Sequence, residues 1–323
     1  MTTIPTCASA SCKKDLGNRF PIEDKGELSW ILNVGITRDR PKRKITLSQS
    51  LYISDLLQRH EFLIGTSNTR NFDAPLGEAL LDPADSPPVG SPEHEAMSSQ
   101  REAYMAIVGG LLWLANMSRP DLAYAASQLS RFMTNPGPVH FQAATRCLLY
   151  LRGSKQRVLQ FSPNSDMAFV TFVDSNWEAK YSCSGAFFFY LGCPIQWFSK
   201  MQRSVSLSSA EAEYFGAMLT AKDLIFIRDL LSDLGIMHDG PSIVYSDSKS
   251  AVDMAFDPVA FKKTKHILRA GAFLRDLVAK RVLTLKHISG HNMVADILTK
   301  PCPRNQFLRL LDILDSFSST ATS

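Results

Sequence analysis

Four acidic side chains in the second half of this 323-residue chain stand at the ends of apolar elements. Asp174 follows the run Ala168-Phe169-Val170-Thr171-Phe172-Val173, and Asp247 follows Ile243-Val244-Tyr245-Ser246. Asp296 lies inside Val294-Ala295-Asp296-Ile297-Leu298, and Glu213 inside Ser208-Ser209-Ala210-Glu211-Ala212-Glu213-Tyr214. Brought together, four carboxylates make a hard oxygen site for two divalent ions, the arrangement that hydrolyses phosphodiesters. Taken singly, each acid also has a plain structural role: Asp174 as a turn starter, Asp247 as a helix cap, Asp296 near a helix N-terminus. Glu213 must be separated from Glu211, because residues two apart on a helix point to different sides. Ser208 and Glu211 have capping-box spacing, which gives Glu211 a structural job. Glu213 shares a face with Ala210 and Ala217, small residues that let a helix lie on a sheet, so it is the acid aimed inward. His291, in the loop Ser289-Gly290-His291 before Asp296, suits proton transfer to a leaving group, the work an imidazole commonly does. An exposed loop histidine is the competing reading, and His287 reads as a surface strand residue.

Positioning those residues needs a frame, and the hydrophobic pattern supplies one. After Ser162-Pro163-Asn164-Ser165 come strands at 168–173, 184–191 and 195–199, then a helix from Ala210 through Leu234. A strand at 243–246, a short helix from Lys249, a helix from His266 to Ala279, a strand at 282–287 and a last helix from Met293 follow. Three early strands and then alternating helices and strands predict an α/β domain with a mixed sheet. Upstream, 28–36 reads as a strand, Pro41 to Lys44 as a basic turn, 45–48 as a return strand and Gln49 to His60 as an amphipathic helix. Asp73 to Met97 is rich in Pro, Gly and Ser and reads as a linker. Three helices are expected at Tyr104–Asn116, Asp121–Met133 and Val139–Arg152, with Gly109-Gly110 allowing close packing. Residues 1 to about 15 read as disordered and Ser316 to Ser323 as a polar tail.

The motifs also identify a family. Ser206-Leu207-Ser208-Ser209-Ala210-Glu211-Ala212-Glu213-Tyr214, Tyr245-Ser246-Asp247-Ser248-Lys249-Ser250-Ala251, Thr264-Lys265-His266-Ile267 and Ala295-Asp296-Ile297-Leu298-Thr299-Lys300-Pro301 resemble, in order and spacing, the ribonuclease H domain of copia-type LTR-retrotransposon Pol polyproteins. Upstream, Gly26-Glu27-Leu28-Ser29-Trp30-Ile31-Leu32 and Leu47-Ser48-Gln49-Ser50-Leu51-Tyr52-Ile53 resemble the end of the reverse transcriptase palm and its thumb. Val108 to Asn116 with Arg119-Pro120-Asp121 resembles the connection segment. The resemblance implies a ribonuclease H-like mixed five-stranded sheet with flanking helices, preceded by a small α+β thumb remnant and a helical connection. Its division of the chain is a start at 1–15, the palm end and thumb at 16–75, a linker at 76–100, the connection at 101–162, the ribonuclease H-like domain at 163–302, and a C-terminal helix and tail at 303–323. It places the family's acidic tetrad on Asp174, Glu213, Asp247 and Asp296, all as metal ligands, and the loop histidine on His291. It implies two Mg²⁺ or Mn²⁺ ions, an RNA–DNA hybrid and other Pol fragments as partners, and hydrolysis of the RNA strand to 3′-hydroxyl and 5′-phosphate ends. Ser208 and Ser209 read as capping residues. The chain departs from the family in three places. The Tyr-x-Asp-Asp aspartates of the polymerase are absent, so no polymerase activity is expected. The loop after Asp174 is short, which bears on how that acid is placed. Met1 to Ser11 does not match, and reads as the start of a gene fragment.

Composition is compatible with these readings. A net charge of +4 and a pI near 8.7 permit a nucleic-acid partner. The run Arg38-Asp39-Arg40-Pro41-Lys42-Arg43-Lys44 suits phosphate contact, or simply a solvated turn. The six cysteines lack zinc-site spacing and read as reduced thiols. The N-terminus lacks a signal-peptide pattern and no window reaches a membrane span, so a soluble intracellular protein of cytoplasm or nucleus, without a membrane partner, is expected. The competing function is a catalytically inactive nucleic-acid-binding remnant of a degenerate element. Without its palm, the segment from 20 to 60 is expected to expose apolar surface.

Overall fold

Two sheets and a set of helices make up the described residues. The computed structural model describes residues 6–65, 71–163, 169–177, 182–203, 205–236, 240–256 and 268–319. Helix α1 (Thr6–Arg19) comes first, where the sequence reading expects disorder. Ala8, Ala10, Lys13, Lys14 and Leu16 are good helix formers, and local propensity there outweighs the lack of an apolar face. The first sheet follows, with β1 (Trp30–Ile31), β2 (Val34–Asp39) and β3 (Lys44–Ser48). One strand is expected at 28–36, but Leu32 and Asn33 take positive φ of 50° and 61° and fold it into a hairpin. Helices α2 (Ser50–Arg59) and α3 (Glu61–Ile64) lead to the Pro-rich stretch. That stretch is built into the fold. It holds a 3-10 turn at Pro83–Asp85 and α4 (Pro92–Ser98), buries Met97, and ties Ser86 and Pro87 to Asn135 by hydrogen bonds of 2.8 and 2.9 Å.

Helices α5 (Arg101–Met117), α6 (Ala123–Ser130) and α7 (Pro138–Gly153) form the helical layer expected from their periodicity. Gly110 makes the close approach: a Cβ there would lie 2.9 Å from Leu56 on α2, whereas Gly109 faces open space. Between α5 and α6 a buried cluster locks the layer. Arg119 donates to Asp121 and to Ser154, and Tyr150 donates to Asp121 at 2.6 Å. The chain then forms β4 (Leu159–Phe161), which completes the first sheet in the antiparallel order β1-β2-β3-β4.

The second sheet contains β5 (Phe169–Asn176), β6 (Cys183–Tyr190), β7 (Cys193–Met201), β8 (Ser242–Ser246) and β9 (Leu283–His287). Its order is β7-β6-β5-β8-β9, antiparallel on the β6 side of β5 and parallel on the β8 side. This is the ribonuclease H-like mixed five-stranded sheet that the motifs imply. The two-residue period of a strand sends its side chains into two cores. Phe169, Val173, Ala186 and Phe188 pack with α8 (Ser209–Asp233), α9 (Lys249–Phe256) and α10 (Leu268–Ala279). Val170, Phe172, Phe187 and Phe189 face the other way, into one core shared with Leu56, Leu111, Leu148 and the segment from Met293 to Cys302. Residues from α2, from the helical layer and from the second sheet therefore share one core on this side.

The helix expected from Met293 is instead a pair of 3-10 turns, Gly290–Asn292 and Val294–Leu298, with α11 (Arg304–Ser319) beyond them. Pro301 and Pro303 lack the N–H that a continuous helix needs. Ser316 to Ser319, expected as the start of a tail, form the last turn of α11, where Phe317 stacks on Phe172 with centroids 5.7 Å apart, and 320–323 lie outside the described residues. Cys147, Cys193 and Cys302 are buried free thiols, Cys12 is an exposed one, and Cys183 is buried. Phe20, Ile22, Leu28, Trp30, Leu32 and Leu51 are exposed, as expected of that segment. Among the described residues no helix is long and apolar enough to cross a membrane.

Candidate active site

Asp174 sits near the end of the central strand β5, opposite Gly185 of β6. It is 2% exposed, and strand parity puts it on the side of Val170 and Phe172. Asp247 follows β8, the parallel neighbour of β5. Asp296 comes in on the 3-10 turn that packs over β6. That approach is close because Gly185 has no side chain: a Cβ there would fall 2.5 Å from Leu298 Cβ and 2.9 Å from Thr299 Cγ2. The three acids meet, with one carboxylate oxygen of each within 4.8 Å of the others.

Glu213 reaches the cluster from the opposite face of the sheet, on the second turn of α8. Ser208 caps that helix by accepting from the Glu211 amide at 3.2 Å, and Glu211 accepts from the Leu207 amide at 2.7 Å. Glu211 thus has the capping role read from its spacing. Glu213 is 9% exposed and lies outside the 4.8 Å set. It takes the Ser175 amide, while its Oε2 is buried with no hydrogen-bond partner. Burial, and then the charges of Asp174 and Asp247, push its carboxyl up to about 10. Burial and Asp174 likewise push Asp296 up to about 7 and raise Asp247.

Around the acids stand residues that sequence reasoning did not assign. Lys300 Nζ lies 2.8 Å from Asp296 Oδ1 and 3.7 Å from Asp174 Oδ2. Those carboxylates hold its ammonium above the usual lysine range despite its burial. The Thr299 hydroxyl donates to Asp174, and Gln306 on the first turn of α11 donates to Asp296 Oδ2 at 2.8 Å. Thr299 and Lys300 lie three and four residues after Asp296, a spacing that puts them beside it in a helical turn and is the available sequence signal. Gln306 carries no such signal, because only tertiary folding brings α11 here.

His291 is exposed on the 3-10 turn Gly290–Asn292. The loop touches the site through Gly290, where a Cβ would lie 3.2 Å from Asp247 Oδ2. His287, read as a surface residue, is exposed and also contacts the site, with Nε2 3.1 Å from the Asp247 carbonyl. The short loop after Asp174 and the Thr264-Lys265-His266-Ile267 motif fall largely or wholly outside the described residues.

The donors are all carboxylate oxygens, one buried oxygen is unpartnered and a side-chain cation already bridges two of the acids. That set fits a hard divalent cation such as Mg²⁺ or Mn²⁺.

No family model matches the chain. It is 34% identical over 302 residues to the retrovirus-related Pol polyprotein from transposon TNT 1-94 of Nicotiana tabacum, covering 92% of this chain and 22% of that protein. It is 33% identical over 301 residues to the one from transposon RE1 of Arabidopsis thaliana, covering 91% and 19%. The chain belongs to the transposon Pol polyprotein family. The copia-type resemblance of the motifs is borne out, and the chain spans about a fifth of the length of these relatives. Among solved structures, a ribonuclease H isolated from compost aligns over 41% of this chain and 92% of that chain, at 20% identity and a TM-score of 0.34.

Proposed function

We propose that this Pol segment is a ribonuclease H that hydrolyses the RNA strand of RNA–DNA hybrids with two divalent ions, and that it carries no polymerase activity. The observation that supports it most is the meeting of Asp174, Asp247 and Asp296 within 4.8 Å, with Glu213 buried behind them. Two bound ions supply activation of the attacking water and neutralisation of the leaving oxygen. Asp174, Asp247, Asp296 and Glu213 would hold them. Thr299 and Gln306 fix the two carboxylates they donate to, so that these oxygens face the site before any ion arrives. His291, on the exposed loop beside Asp247, would give its proton to the leaving 3′ oxygen as water adds to phosphorus and releases its own proton to solvent, from which the imidazole is reprotonated. The 2′-hydroxyls of the RNA strand mark the substrate strand. The polymerase reading lacks its Tyr-x-Asp-Asp carboxylates in the sequence.

The test is cleavage of a labelled hybrid by the purified chain with Mg²⁺ or Mn²⁺. Activity lost in Asp174→Asn, with the fold retained, is the expected result. Hybrid binding without cleavage at any concentration of either ion overturns the proposal and leaves the inactive nucleic-acid-binding remnant.

A further inference from the structure

A lysine ammonium already sits between two of the acids. Lys300 Nζ contacts oxygens of Asp174 and Asp296 at once, at 3.7 and 2.8 Å. Both carboxylates are held from elsewhere, Asp174 by Thr299 and Asp296 by Gln306. They would stay apart if the ammonium left. Three carboxylates that close repel one another, and one ammonium offsets part of that repulsion. Lys300 also has a way out that the two acids it contacts lack. Its side chain is 37% exposed, against 3% for Asp174 and 5% for Asp296. A flexible four-carbon stem lets the ammonium swing to solvent while the backbone stays put.

We propose that Lys300 is a positioning residue that acts as the resident counter-cation of the acid cluster, competing with the first divalent ion for Asp174 and Asp296 and carrying its charge to the mouth of the site when displaced. The inference rests on the metal-binding reading of the acid cluster. Like charges do not share a pair of carboxylates cheaply, so the ammonium and the ion exclude each other. Once displaced, the ammonium stands where an anionic phosphodiester backbone approaches, and that backbone gains a cation partner. Lys300 thus lowers metal affinity when nucleic acid is absent and returns part of that loss when it is present, a reciprocal coupling.

The experiment is a calorimetric Mn²⁺ titration of the full chain without nucleic acid. It compares the natural sequence with Lys300→Met, Lys300→Gln, Lys300→Arg and Asp174→Asn, each checked for fold by circular dichroism. The neutral variants should bind the first ion tighter by about ten-fold, equivalent to roughly 1.4 kcal/mol. Lys300→Arg, which keeps the charge, should remain near the natural affinity. Unchanged or weaker binding in folded Lys300→Met and Lys300→Gln, with Asp174→Asn weakened, overturns the role of Lys300 and leaves the metal site standing. Natural chain and Asp174→Asn binding equally poorly overturns both.

Discussion

Replacing Glu213 by Gln should stabilise the metal-free chain and damage the metal-loaded one. The Glu213 carboxyl is pushed up to about 10 from an ordinary value of 4.5, first by burial and then by Asp174 and Asp247. Above pH 4.5 the unfolded chain releases this proton while the folded chain keeps it. The stability it contributes is complete below pH 4.5 and is lost as the pH rises toward 10. Each pH unit in that window costs up to about 1.4 kcal/mol, so the loss at pH 7 is about 3 kcal/mol. Glutamine keeps the shape of the protonated acid and does not titrate. In EDTA, urea denaturation at pH 7 should therefore find Glu213→Gln more stable by about 1–3 kcal/mol, with the gap closing toward pH 4.5. Asp296, pushed up to about 7, gives both proteins the same additional slope between its ordinary 3.8 and that value. Adding Mg²⁺ should reverse the order, because binding to the native state raises its stability and the variant has lost a ligand. A variant that is destabilised equally at pH 5 and pH 8 would refute the reasoning, since Glu213 would then be an ordinary packing residue.

Three other perturbations probe the frame. Asp121→Asn leaves Arg119 buried beside a neutral partner and should cost about 3–5 kcal/mol by urea denaturation. In the natural chain Asp121 is held down to about 2 although burial opposes this, because Arg119 lies against it, so its stabilisation is present above pH 3.8 and about 2 kcal/mol of it is lost on acidification toward pH 2. Gly185→Ala forces Leu298 and Thr299 off β6 and should lower stability by about 1–3 kcal/mol, with hybrid cleavage falling further because Asp296 moves with them. The seven residues from Arg38 to Lys44 hold five cations and one acid, a net of +4 that equals the charge of the whole chain. If they hold phosphates, replacing Arg38, Arg43 and Lys44 by Ala should lower the slope of log affinity for the hybrid against log salt by about 0.9 for each phosphate no longer neutralised. An unchanged slope would mark the hairpin as merely solvated.

Much of the site was legible because its acids end elements whose patterns are strong. Phe169 to Val173 is apolar on both faces except for Thr171, which marks a central strand, and Asp174 comes directly after it. Ala210 and Ala217 flag the face of α8 that carries Glu213, and the Ser208–Glu211 spacing explains the other acid. What escaped was set by distant partners. Strand β4 is three residues long, and Leu159 pairs with Leu47 from the far side of the helical layer. No local periodicity announces such a strand. The Pro-rich stretch was read from composition, which says nothing of Met97 finding a core. Gln306 enters the site only because α11 folds back over β5 through Phe317 and Phe172.

The cluster is also costly to the fold, and that cost bears on function. Asp174, Asp247, Asp296 and Glu213 stand near one another, with one ammonium among them and one Glu213 oxygen unpartnered. Amides in place of any two of these acids would keep the shapes, accept the Thr299 and Gln306 bonds, and lessen the repulsion that, after burial, raises Glu213, Asp247 and Asp296. Packing alone gives no reason for the charges. A divalent cation does, because it converts the same repulsion into ligand strength. The stability of the chain should accordingly rise with Mg²⁺ by more than surface binding allows, and the rise should vanish when Asp174 is replaced by Asn.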